Sequence, residues 1–214
     1  MDVAILGGTG KEGAGLAARW ASAGHTIVIG SRDAERARTK AAELRQLTGR
    51  ESITGESNAE AARRGQVVVI ALPAEGLART LPELREGCRD KVVISTVVPL
   101  TFGGARLFTP PPSGSAAEEV QDLLPDAKVV AAFHHIAAHE LSATQHAIEC
   151  DLLLCGGDAA AKHVVVELAE SMGLRSLDAG PLTNAGPLEG ITALLATINR
   201  RYKLKNSGIK ITGV

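Results

Sequence analysis

The stretch GGTGKEG at 7–13 constrains the fold more than any other. It places four glycines in seven residues, immediately after the apolar run VAILG (3–7) and at the start of KEGAGLAARWASAG (11–24). Within it, GTGKEG at 8–13 matches G-x-G-x-x-G in the setting that gives the motif its meaning, a strand that turns directly into a helix. Gly8 is expected to permit the tight turn, Gly10 to let the backbone approach a pyrophosphate, and Gly13 to let helix and strand pack closely. Thr9, Lys11 and Glu12 complete the phosphate-binding loop. The helix N-terminus adds free N–H groups and the positive end of its dipole. The plainer alternative is a Gly-rich turn that only joins strand to helix.

The rest of the chain continues that beginning. Short apolar runs recur at 26–31 (TIVIGS), 66–72 (QVVVIAL), 91–97 (KVVISTV), 128–134 (KVVAAFH) and 151–156 (DLLLCG), with a weaker SIT at 52–54. They are continuously apolar rather than alternating, as parallel strands covered on both faces are. Helices are predicted over 11–24, 33–49, 58–64, 75–87, 115–124, 159–172 and about 186–204, with Asp33 as an N-cap and Gly24 and Gly49 as stops. LFTPPPSGSAAEE is the most loop-like segment. Strand–helix alternation of this kind predicts an α/β fold with a doubly wound, mostly parallel Rossmann sheet. Residues 1–150 are expected to form the dinucleotide-binding domain. Residues 151–214 form a small C-terminal lobe packed on the same sheet, not an independent domain.

The end of the second strand selects the dinucleotide. An NAD site usually carries an acid there for the ribose 2′-hydroxyl. Here the chain reads IGSRDAER, and Ser31 and Arg32 stand where the acid would be. A guanidinium fork and a hydroxyl suit a 2′-phosphate, which a carboxylate would repel. Thr9 can reach the same group, and Arg36, one helical turn on, can add a second cation. NADP(H) is therefore preferred. The competing reading makes Asp33 the ribose acid and Arg32 a solvated residue.

Ligands in such sheets lie across the carboxyl ends of the strands. Leu72 and Pro73 at one strand exit, and Val97 and Val98 at the next, predict a dry wall for a nicotinamide ring. His134, His135 and His139 follow the 128–134 run. Adjacent residues on a strand face opposite ways, so no metal site is expected, and one histidine facing a ligand is the better reading. No YxxxK pattern exists, Tyr202 being the sole tyrosine. No dedicated proton donor stands out, which points to an acceptor whose own ring carries the chemistry, a flavin or deazaflavin. The formal net charge of −1 and the scarcity of aromatic residues argue against nucleic acid. No apolar run of about 18 residues predicts a membrane span. Cys88, Cys150 and Cys155 lack metal spacing and read as apolar fillers of a cytoplasmic protein.

These segments resemble one family, the NADPH-dependent reductases of coenzyme F420. The likeness covers nearly the full chain: AILGGTGKEGAGLAARWASAGHTIVIGSRDAERA first, then ITG, KVVISTVVPL, KVVAAFHHIAAHEL, CGGD, LDAGPLTNAGPLEGITALLATIN and GIKI in the family's order. The resemblance implies direct hydride exchange between nicotinamide C4 and deazaflavin C5, with no obligatory acid or base. It implies that Thr9, Ser31 and Arg32 hold the 2′-phosphate, that His134 and Ile136 line the acceptor site, and that the small-molecule enzyme is a homodimer. Ala74, Ala137 and His135 depart from the family's usual residues, and the departures are expected in the second-substrate pocket. Two alternatives remain on the same scaffold: an NADPH-dependent flavin or ferric-flavin reductase, and a non-catalytic NADP(H) sensor.

Overall fold

The computed structural model describes residues 1–103 and 106–214. The strands are β1 (Asp2–Leu6), β2 (Thr26–Ser31), β3 (Ile53–Ser57), β4 (Val67–Ile70), β5 (Val92–Ser95), β6 (Lys128–Ala131), β7 (Leu152–Gly156) and β8 (Ser176–Asp178). The helices are α1 (Lys11–Ser22), α2 (Ala34–Thr48), α3 (Asn58–Arg64), α4 (Leu77–Thr80), α5 (Arg85–Cys88), α6 (Ala116–Leu123), α7 (Ala138–Ser142), α8 (Ala159–Glu170) and α9 (Ala185–Tyr202).

One sheet runs β3-β2-β1-β4-β5-β6-β7-β8. The strands from β3 to β6 pair in parallel. β7 then pairs antiparallel with β6 (Val130↔Gly156), and β8 runs parallel to β7. The order reverses between β1 and β4, so the crevice of the sheet opens beyond Leu6 and Ile70. Continuous apolar strands fill both faces. On β1, Val3 and Ile5 pack into the core under α1, α2 and α8, while Ala4 and Leu6 pack into the opposite core under α3, α4 and α6. Trp20, fully buried, ties α1 to α8 by donating its indole N–H to Leu168 O at 2.9 Å, and its ring meets Phe133 edge-on at 5.5 Å.

The fold matches the doubly wound expectation, with local differences. The helix expected over 75–87 is instead a run of short helical turns, because Pro82 has no N–H and its ring disfavours a continuous helix. The strand expected to reach 134 ends at Ala131. Phe133 adopts a left-handed backbone (φ 69°) to place its ring against Trp20, so His134 and His135 sit on a turn closed by Ile136 N–H to Phe133 O. β3 extends past SIT to Ser57. α7 and β8 were not expected; they span five and three residues, too short for a periodic signal.

Candidate functional site

Two cavities meet at the carboxyl edge of the sheet. The first, about 1000 Å³, runs from the glycine loop past the ends of β2, β4 and β5. The second, about 1060 Å³, lies between α1, α2, the turn after β6 and α9. Thr9, Gly10, Lys11, Glu12, Leu100, His134 and Thr192 line both and so form the seam between them.

The glycine loop builds the near end. The tight turn belongs to Gly7 (φ 78°), not to Gly8: a Cβ at Gly7 would lie 2.5 Å from Ala71 O. Gly8 is buried and faces the sheet, with its N–H directed to Ile5 O and Gly30 O, so the structure moves it off the expected cofactor wall. Gly10 is open, its imagined Cβ meeting only Gly7 O at 3.4 Å, whereas at Gly13 it would strike Gly8 Cα at 2.8 Å. Gly13 is thus the close-packing glycine, as expected. Helices α2, α3, α6 and α8 begin with side-chain caps from Asp33, Ser57, Ser115 and Asp158. α1 begins on Gly10 with none, which leaves its first N–H groups for an anion.

Asp33 spends one carboxylate oxygen on the backbone N–H groups of Glu35 and Arg36, which is the N-cap role. Ser31 is buried and its hydroxyl oxygen accepts from Asp33 N–H. Arg32, Arg36 and Arg79 line the first cavity, and their side chains make no ion pair or hydrogen bond among the described residues. Arg38, by contrast, pairs with Glu35 and is not on the wall. The wall of the first cavity therefore carries three unengaged cations and a buried hydroxyl, a phosphate-binding composition. Leu72, Pro73, Val97 and Val98 line its other side. Ala74 also lies on this wall, which corrects the expectation that it belongs to the second-substrate half.

Ile136, Ala137 and His135 line the second cavity, and His134 sits at the seam. His135 is fixed, its Nε2 2.9 Å from Asp151 O and 3.2 Å from Leu153 N. His134 is 5% exposed and neither ring nitrogen has a partner. Burial, with a lesser push from His135, brings its pKa down to about 3, so the imidazole is neutral. His139, on the second-cavity wall, and His146 are exposed. Glu12 contributes a carboxyl whose Oε1 is buried and unpartnered; burial raises its pKa to about 8, and the neighbouring Thr96 side chain opposes the shift.

Arg19 supports the second cavity. Its guanidinium donates to four backbone oxygens, of Glu140, Leu141, Ala143 and His146, at 2.6–3.2 Å, and so pins α7 and the turn after it onto α1. Glu189, fully buried on α9, accepts from Ala116 N–H and Ala117 N–H, both at 3.1 Å, and docks α9 on the start of α6. A bidentate Arg175 pair holds the Asp151 carboxyl down at about 2, and Ile211 N–H joins it at 2.6 Å, tying the C-terminal tail beside β7. Sequence reasoning missed Thr96, Thr192, Arg79 and Arg19. Thr96 stood in the quoted strand exit and could have been found; Thr192 and Arg19 become functional only through contacts across more than a hundred residues.

A doubly wound sheet with an uncapped helix at its switch point and unengaged arginines on the cavity wall is the architecture of a dinucleotide-binding protein. Residues 2–99 match the family described as NADP oxidoreductase, coenzyme F420-dependent. Along its full length the chain is 42% identical to the F420-dependent NADP reductase of Methanocaldococcus jannaschii, covering 99% of that protein, and 39% identical to that of Methanothermobacter thermautotrophicus, covering 96%. A crystal structure of an Arthrobacter sp. FB24 protein, itself a proposed F420-dependent NADP reductase, superposes with a TM-score of 0.84 at 26% identity over 99% of both chains. The chain belongs to the F420-dependent NADP reductase family. Among the described residues, no helix is long and apolar enough to cross a membrane.

Proposed function

We propose that this protein is an enzyme that exchanges a hydride between NADP(H) and coenzyme F420. The observation that carries the reading, beside full-length relatedness, is the seam: two cavities of similar size, one with unengaged cations on its wall, meet at a few shared residues. When both are bound, the nicotinamide supplies or takes the hydride at C4 and the deazaflavin at C5, and catalysis is proximity and orientation.

In this reading the first N–H groups of α1 and the backbone at Thr9, Gly10 and Lys11 take the pyrophosphate. Ser31, Arg32 and Arg36 take the 2′-phosphate, and Arg79 is added to that set. Leu72, Pro73, Val97 and Val98 keep water from the nicotinamide. The residues fit these groups: an uncapped helix start suits the diphosphate, and the orphaned polar atoms of Glu12, His134 and Thr192 suit a ring with donors and acceptors at its edge. Ile136 and Ala137 line the deazaflavin side, and His134 faces both rings. Mixing protein, NADPH and oxidised F420 should bleach the deazaflavin band, with FMN and riboflavin as parallel acceptors. No bleaching with F420, or faster turnover with a flavin, rejects the assignment.

A homodimer through α9 accompanies this reading. Leu194, Ile198 and Tyr202 recur every four residues on one face of α9 and are 39–65% exposed, an apolar stripe that a second copy would cover. Sedimentation should give a dimer for the native protein and a monomer for Leu194→Glu.

A further inference from the structure

Among the described residues, nine buried side-chain polar atoms lack a hydrogen-bond partner. Four of them belong to three residues of the seam: Glu12 Oε1, both ring nitrogens of His134, and Thr192 Oγ1. Orphaned polar atoms are uncommon in folded proteins, so their convergence points to a bound group that satisfies them. Within this cluster Glu12 differs in kind, because it alone can exchange a proton near neutral pH. It stands between two opposed influences. Burial favours the acid, while its place in the first turn of α1 favours the carboxylate. A new positive charge beside such a group tips the balance.

We infer that Glu12 is the proton carrier of the hydride-transfer site, a carboxylic acid beside the reduced, uncharged nicotinamide and a carboxylate beside the oxidised, cationic one. The inference rests on the function proposed above and supplies the proton donor that reading lacks. In the direction of F420 reduction, Glu12 releases its proton as the C4 hydride, with its electron pair, leaves for deazaflavin C5. The proton passes to deazaflavin N1. The products are a neutral reduced deazaflavin, a nicotinamide cation and the Glu12 carboxylate, so net charge is unchanged and no further reactant is needed. The reverse direction returns the proton to Glu12.

The surroundings leave that role to Glu12. His134, from the turn after β6, is neutral throughout, with its pKa near 3. Thr96, from the exit of β5, and Thr192, from α9, offer hydroxyls. Lys11 lies on the same helix and is exposed. The other titratable or charged groups on the cavity walls are, in the second cavity, Lys40 and Glu43, paired on α2, Lys205 of the tail, His135, whose Nε2 is held at Asp151 O and Leu153 N, and His139, which is exposed to solvent on α7; in the first they are Arg32, Asp33, Arg36, Glu75 and Arg79.

Calorimetric titration of the intact protein with NADP⁺ and with NADPH, each in two buffers of different ionisation enthalpy, counts the protons exchanged. At pH 7 NADP⁺ should release close to one proton more than NADPH; the 2′-phosphate is common to both and cancels. At pH 9.5, where Glu12 is already ionised, the difference should vanish. Between these limits the affinity ratio of NADP⁺ to NADPH should rise with pH, by up to about tenfold per unit, and level off near pH 8. Glu12→Gln keeps the shape and cannot ionise. It should show no difference in proton count at either pH, and its F420 reduction should be at least about tenfold slower and lack the decline above pH 8. Equal counts for the two nucleotides in the native protein at pH 7 overturn the inference, whether or not the variant folds. If that protein still reduces F420, only the proton carrier is lost; if it binds both nucleotides but leaves F420 oxidised, the proposed function fails as well.

Discussion

The two cavities are built by different means. Apart from His134 and Thr192 at the seam, the first is made mainly of strand-end segments: the loop after β1, the end of β2, the exits of β4 and β5. Each piece sits at a strand terminus, so once the parallel register forms, its residues are in place. The second is assembled from parts distant in sequence: α1 and α2, the His134–Ala137 turn, α7, α9 and the tail. These are held by polar clasps, Arg19 on the carbonyls of α7 and its turn, Glu189 on α6, Asp151 with Arg175 on the tail. A site at strand ends is rigid because the sheet is rigid. A site held by clasps depends on a few buried polar groups.

The sharpest way to break this comparison is inside the glycine loop. At Gly10 a side chain projects into the cavity; at Gly13 it projects into β1 and the turn. Gly10→Val should fold with nearly native stability yet lose NADPH affinity about 1000-fold or more, roughly 4 kcal/mol. Gly13→Val should lose the fold itself, since the neighbour it meets at 2.8 Å is backbone. Thermal melts with nucleotide titration separate the two. If Gly10→Val bound NADPH normally, the phosphate cradle would lie elsewhere.

Arg19→Met tests the clasps. Four carbonyls lose a charged donor, and Met preserves most of the apolar stem. Unfolding should become easier by about 3–4 kcal/mol, less than a simple sum because some carbonyls reach water. The acceptor KM should rise about tenfold while NADPH affinity stays within about twofold. Equal losses for both substrates would mean that the two cavities are one mechanical unit.

What the chain discloses follows the same division. The doubly wound sheet was legible because near-continuous apolar runs such as QVVVIAL have few other uses than buried parallel strands. The N-cap role of Asp33 and the place of Ser31 and Arg32 on the cavity wall were legible because both depend on the end of β2 alone. Gly7 was misassigned in favour of Gly8, since either can begin the glycine pattern and only the backbone shows which takes positive φ. The end of β6 was misplaced because the left-handed Phe133 is dictated by Trp20, 113 positions earlier. Thr192 and the clasp arginines carried no local pattern. A residue is readable when its neighbours in sequence are its neighbours in space.

Arg32→Asp sharpens the first half of the comparison. It replaces a cation at the wall by a charge that repels a phosphate. NADPH affinity should fall about 100-fold, near 2.7 kcal/mol, with NADH affinity changed less than about threefold. Fluorescence titration with both nucleotides reads the ratio. Equal weakening would move the 2′-phosphate away from Ser31 and Arg32 and return Asp33 to consideration.

The smallest effect concerns the docking of α9, through pH. Burial raises the Glu189 carboxyl from its ordinary 4.5 to about 7, although two backbone N–H groups oppose the shift. Below pH 4.5 the group is protonated both folded and unfolded, and contributes no pH dependence. Between 4.5 and 7 the unfolded chain ionises there while the folded chain does not, so stability falls as pH rises; above about 7 the loss is complete. At about 1.4 kcal/mol per unit the ceiling is near 3.5 kcal/mol, and about 2 kcal/mol is expected once local relaxation and water penetration ease the ionised carboxylate. Glu189→Gln cannot ionise, although it trades one of the two N–H acceptors for a donor. Its stability relative to the native protein should therefore be lower at pH 5 and recover by about 2 kcal/mol at pH 8, with NADPH affinity unchanged at both. Urea melts of the pair at the two pH values measure this. A constant difference would mean that Glu189 is ionised in the fold at both pH values, held by the first N–H groups of α6, and that the clasp on the far cavity is as insensitive to pH as the sheet edge opposite.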